Sequence, residues 1–140
     1  MSEVMAALDR ARSYEKEVSA ELEHVERLYR IARRIRGNAA YAARTAEKIA
    51  LLERKLNHEI DRMADAKLEA LEYLSILDGE ERGLMERYYM LGKNWDRIAV
   101  EMYMSDRRVY LIRKKAIKKL EQRFSDTDIR RRYGNRDKTA

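Results

Sequence analysis

From Val4 to Ile35 apolar residues recur three and four positions apart. Val4, Leu8, Ala11, Val18, Leu22, Val25, Tyr29 and Ala32 hold one seam, and Glu15 is its only charged intruder. Leu28, Ile31 and Ile35 widen the stripe at its end. A spacing near 3.5 predicts a long helix, about 45 Å for some 30 residues. Gly37-Asn38 predicts its stop, because both residues tolerate the left-handed conformation of a helix C-cap. The Ala-rich stretch Ala39 to Ala43 is compatible with loop or helix. A second seam, Ile49, Leu52, Leu56, Ile60, Met63, Ala70/Leu71 and Leu74, predicts another long helix. Two such helices on a short link are expected to fold back antiparallel. Each stripe gains about 1.5–3 kcal/mol per large apolar side chain only by finding a partner. The pair shares one face, so a second copy is expected to cover the remainder as a four-helix bundle. The alternative is that this part serves only as a spacer or lever.

Beyond Leu77 the pattern shortens. Asp78 followed by Glu81 predicts a helix start of the capping-box kind, with the helix running through Leu84, Met85, Tyr88 and Tyr89 to Gly92. Asn94 predicts the cap of a short helix from Trp95 to about Met102, and Ser105 that of a third, from Asp106 to about Phe124. Ile98, Ala99, Met102, Met104, Val109, Ile112, Ala116, Ile117 and Leu120 form their apolar side. Two helices on a tight turn, with a small residue where they cross, describe a helix-turn-helix. Its second helix would expose Ser105, Asp106, Arg107, Arg108, Tyr110, Arg113, Lys114 and Lys118. The leading turns of such a helix enter the major groove of double-stranded DNA, where Arg reads guanine, and the later cations contact phosphate.

Charge supports a polyanionic partner. The chain has 140 residues with 31 Lys/Arg and 25 Asp/Glu, a net of +6. Residues 1–78 carry 14 Lys/Arg against 15 Asp/Glu, whereas residues from Ser105 onward carry 13 against 5. Segregation of this kind marks a surface for anions more often than a merely solvated face. The absence of Cys excludes disulfide and thiolate chemistry and fits a reducing compartment. With no Pro and five Gly, the composition favours long helices. No apolar run approaches the ~20 residues of a membrane span, and no secretory leader is expected.

The stretch LDGEERGLMERYYMLGKNWDRIAVEMYMSDRRVYLIRKKAIKKLE resembles the region 4 helix-turn-helix of bacterial sigma factors. Gly92, Asn94, Trp95, Ile98, Ala99, Ser105, Val109, Ala116, Lys119 and Leu120 stand at the positions of that pattern. With the upstream EIDRMADAKLEALEYL, the chain is similar to phage-encoded transcriptional regulators of the ArpU/RinA-like kind, over roughly Glu59–Glu121. The resemblance implies a DNA-binding regulator in the cytoplasm of a bacterial host, nucleoid-associated when bound to DNA. Two positions depart from it. Tyr103 stands where Gly is frequent, and a bulky left-handed residue costs ~1–2 kcal/mol. Gly83 lies inside a helix, at a cost of ~1 kcal/mol relative to Ala. The other sigma regions have no counterpart, so promoter melting is not implied.

Catalytic chemistry does not converge anywhere. His24 and His58 lack the partners of a metal site, and there is no Cys nucleophile or Gly-rich phosphate loop. No enzyme activity and no cofactor are expected. Trp95 reads as a packing anchor rather than a base-stacking residue, and Tyr110 as a groove contact. The expected organisation is all-α: residues 1–77 a coiled-coil-like helical hairpin for oligomerisation, 78–124 the helix-turn-helix, 125–140 a basic tail tracking phosphate. Expected partners are double-stranded DNA, a second copy and host RNA polymerase, with no membrane. Two alternatives remain: a small terminase subunit for phage DNA packaging, and a sigma-like adaptor that binds RNA polymerase instead of DNA.

Overall fold

The computed structural model describes residues 2–35 and 37–125 of the chain. The described residues form five helices and no strand: α1 (Glu3–Arg34), α2 (Ala39–Leu74), α3 (Gly79–Tyr89), α4 (Trp95–Glu101) and α5 (Asp106–Arg123). Of the stretch expected to form a basic tail, residues 126–140 lie outside the described residues.

Capping chemistry sets most of the helix starts. Ser2 Oγ accepts from the Met5 N–H, Asn38 Oδ1 from Tyr41, Asn94 Oδ1 from Arg97 and Ser105 Oγ from Arg108, at 2.9–3.2 Å. Asn38, expected only to help end the first helix, therefore also starts the second. The Ala-rich stretch after it is helix, as its propensity favours. Asp78 behaves differently from expectation. It precedes α3 but makes no side-chain cap bond. Gly79 follows at φ 52°, so the first turn opens on a left-handed residue, and Glu81 turns instead to Lys119 at 2.9 Å and Lys115 at 3.8 Å.

α1 and α2 run side by side in opposite directions. Arg10 reaches Glu69 (3.4 Å), Lys67 reaches Glu15 (2.6 Å), Lys55 reaches Glu21 (3.4 Å), and the Tyr29 hydroxyl donates to Glu53. Partner numbers fall on one helix as they rise on the other. Glu15 is thus accommodated in the apolar seam by a cation from α2. The middle of the pair is sealed by Val18, Val25 and Leu56 with Leu52, Ile60 and Met63. This seal is only two helices deep, which is why Leu22 and Tyr29, seam residues by spacing, remain 43 % and 45 % exposed.

The other end of the pair enters a larger core. Val4, Leu8 and Ala11 of α1 and Ala70, Tyr73 and Leu74 of α2 share it with α3, α4 and α5, so residues on both sides of position 78 belong to one cluster. Arg12 ties α1 to the connection between α3 and α4. Its guanidinium donates to the carbonyls of Tyr88 (2.6 Å) and Lys93 (3.0 Å) and lies 3.7 Å over the Tyr88 ring. Gly92, at φ 71°, leaves room for the Glu15 side chain, whose Cγ would sit 3.2 Å from a Cβ there. Burial raises the Tyr89 phenol to about 12, with the nearby Asp9 carboxylate adding to the shift.

Candidate nucleic-acid interface

The site is built on the α4–α5 pair. Ala99, expected where the two helices cross, is 4 % exposed and belongs to the large core. The turn is held by backbone bonds: Tyr103 N–H donates to the Val100 carbonyl (3.2 Å) and Met104 N–H to that of Ala99 (2.9 Å). Closing so tightly puts Tyr103 at φ 55°, a left-handed conformation for a bulky residue, while its side chain is 96 % exposed. Met104 is half-buried against the core, and Ser105 caps α5 behind it. Glu101 anchors α4 from its C-terminal end. It accepts from Lys93 (2.7 Å) and Arg97 (3.0 Å), and these two bonds hold its carboxyl below the usual range.

α5 is amphipathic, with a cationic outside. Val109, Ala116 and Leu120 are buried and Ile112 half-buried, one stripe at helical spacing. α5 holds eight Lys/Arg against Asp106 and Glu121, and the eight have three fates. Arg108, Lys115 and Lys119 flank α3 and pair with its acidic first turn: Arg108 with Glu80 at 2.7 Å, the two lysines with Glu81. Arg113 is half-buried with its guanidinium 4.6 Å over the Trp95 ring, and Arg123 lies 5.5 Å over Phe124. Arg107, Lys114 and Lys118 are exposed and enter no ion pair among the described residues. Tyr110 and Leu111, 57 % and 53 % exposed, lie among them on the same outward face. Tyr110, Arg113, Lys114 and Ile117 border a shallow concavity of about 240 Å³.

Of the eight residues expected at the interface, Arg107, Tyr110, Lys114 and Lys118 share one exposed face. Ser105 and Asp106 sit at its leading end, with the Ser105 oxygen already accepting the cap bond. Arg108 stands aside toward Glu80. That pair is half-exposed at both ends, and such pairs contribute only about 0–1 kcal/mol, so a phosphate can compete for the arginine. Arg113 is drawn toward Trp95, itself stacked on Tyr88 at 3.9 Å and 11°. Arg12, Tyr103 and Leu111 were not singled out as site or anchoring residues by spacing. Arg12 gives no signal at all, because its partners are backbone carbonyls more than seventy residues away. His24 is half-buried on α1 and His58 exposed on α2, and no group of three or more potential metal ligands occurs among the described residues. No helix among them is long and apolar enough to cross a membrane. The chain matches no protein family, no curated protein and no solved structure with which it was compared.

Proposed function

We propose that this chain is a sequence-specific double-stranded DNA-binding regulator of transcription, of phage or prophage type. In this reading α4 and α5 form a helix-turn-helix of the sigma region 4 kind, and α1 and α2 form a hairpin through which two copies associate. The observation that carries it is the outward face of α5: Arg107, Tyr110, Lys114 and Lys118 exposed together, with the three cations free of ion pairs among the described residues. A helix docked by its first turns presents such a face to base edges and phosphates. Five to eight neutralised phosphates give a slope of roughly −5 to −7 for log affinity against log salt. Association of two copies is supported by the thin middle of the α1–α2 pair, where Leu22 and Tyr29 stay half-exposed. Two linked modules raise affinity through effective concentration.

The test is selection of bound sequences from a random duplex pool, with the mass of the free protein measured in solution. Enrichment of paired half-sites together with a dimer mass supports the reading. Binding that is salt-independent and enriches no sequence overturns it. A ring of eight or more copies points to DNA packaging instead.

A further inference from the structure

Charge is segregated along the α1–α2 pair as well as along the chain. Residues 27–48, which span the end of α1 and the start of α2, carry seven Lys/Arg against Glu47 alone; the rest of residues 1–78 carries seven against fourteen. Toward the core three cations are paired, Arg10 with Glu69, Lys67 with Glu15 and Lys55 with Glu21 and Glu59, and the others lie among an excess of carboxylates. At the far end Arg27, Arg30, Arg33, Arg34, Arg44 and Lys48 are all exposed. None of the six enters an ion pair among the described residues. Their spacing places Arg27, Arg30 and Arg34 on one face of α1, where with Ile31 they border a shallow concavity of about 270 Å³. Arg30 and Arg33 border a neighbouring one of about 360 Å³ with Glu26 and Tyr29. Like charges in excess at one end repel one another, a cost that a bound polyanion lowers.

We infer that this far end is a second DNA-binding surface, which grips the phosphate backbone of a duplex without reading its bases. It rests on the DNA-binding reading of α5 but uses different residues. Five of the six cations are Arg, whose planar fork matches phosphate. A lipid surface fits less well. Tyr29 and Ile31, both exposed, stand two positions apart on α1 and so on opposite sides of it, whereas an interfacial helix needs one continuous apolar face. Arg34 stands 23 positions beyond Ala11, a residue of the large core, which is about 35 Å along α1. That is close to one turn of duplex, so one molecule can hold phosphates at two separated points.

The test uses the full chain and a random-sequence duplex, with affinity followed by fluorescence anisotropy across salt concentrations. Arg27→Gln/Arg30→Gln/Arg34→Gln should make the salt slope shallower by about 2–3, at ~0.9 per phosphate contact. Its ratio of selected-site to random affinity and its unfolding midpoint should match the unmodified chain, and the corresponding triple Lys variant should restore the slope. Arg107→Ala, in the leading turn of α5, should instead lower that ratio. An unchanged slope in the triple Gln variant, with the ratio still lost in the α5 variant, overturns the second surface and leaves the α5 reading standing. Loss of the ratio in the triple Gln variant also overturns it, as does arginine-dependent binding to phosphatidylserine vesicles with an unchanged DNA slope. A chain that binds no duplex removes both readings.

Discussion

Replacing Tyr103 by Gly should make the protein more stable. At φ 55° the Tyr backbone carries a left-handed penalty of ~1–2 kcal/mol, from which glycine is exempt. Against this stands the greater backbone freedom of Gly in the unfolded chain, about 0.5–1 kcal/mol. The ring is 96 % exposed, so its removal forfeits almost no burial, and the N–H bond to the Val100 carbonyl is kept. The balance is a gain of about 0.5–1 kcal/mol, or roughly 2–4 °C in the melting midpoint of a domain this size. Thermal unfolding followed by circular dichroism measures it. Tyr103→Ala is the control: Ala retains the left-handed penalty, so its midpoint should stay within ~0.5 kcal/mol of the unmodified chain. A lower midpoint for Tyr103→Gly, or equal gains for both variants, would refute the reasoning. Strain retained on an exposed ring is a mark of use, and the ring sits on the turn leading into α5. If that use is DNA contact, Tyr103→Gly should bind duplex more weakly even as it melts higher.

Three further outcomes follow from local geometry. Gly83→Ala should raise the midpoint by a few degrees: the helical gain is about 1 kcal/mol, and the new Cβ meets only the flexible ends of Arg87 (3.1 Å) and Met102 (3.6 Å). A drop would mean that those ends cannot move. Ser105→Ala should cost about 1 kcal/mol in urea unfolding, because its cap bond to Arg108 N–H is lost, while Asp78→Ala, which has no such bond, should cost under ~0.5 kcal/mol; equal losses would contradict this. Glu59 is held above the ordinary carboxylate range, first by its hydrogen bond with Glu21 and then by burial and that neighbour's charge. Its contribution is therefore present at acid pH and lost as pH rises through the folded value. Glu59→Gln should gain stability over the unmodified chain as pH climbs from 4 to 8, and a gap widening toward acid would reverse the assignment.

Periodicity and cap residues made the five helices legible, because both are local. Asn94 and Ser105 announce helices that begin where the spacing expects them. The start of α3 after Asp78 was legible too, but the missing cap bond was not, since it depends on the φ of Gly79 and on lysines of α5 that draw Glu81 away. Outward placement of Arg107, Tyr110, Lys114 and Lys118 follows from helical spacing alone. The diversion of Arg113 does not, because a helical wheel cannot show Trp95 lying beneath it. Counting charge over the whole of residues 1–78 averaged a basic far end with an acidic near end, and so concealed the cations around Arg30.

The most direct test of the α5 face is a nuclear magnetic resonance titration of the labelled protein with a selected duplex. Shifts at Arg107, Tyr110, Leu111, Lys114 and Lys118, joined by Arg27, Arg30 and Arg34 where the duplex reaches the far end, with Val109, Ala116 and Leu120 little changed, are the expected result. Saturating duplex that leaves the outward residues of α5 unshifted would contradict the account.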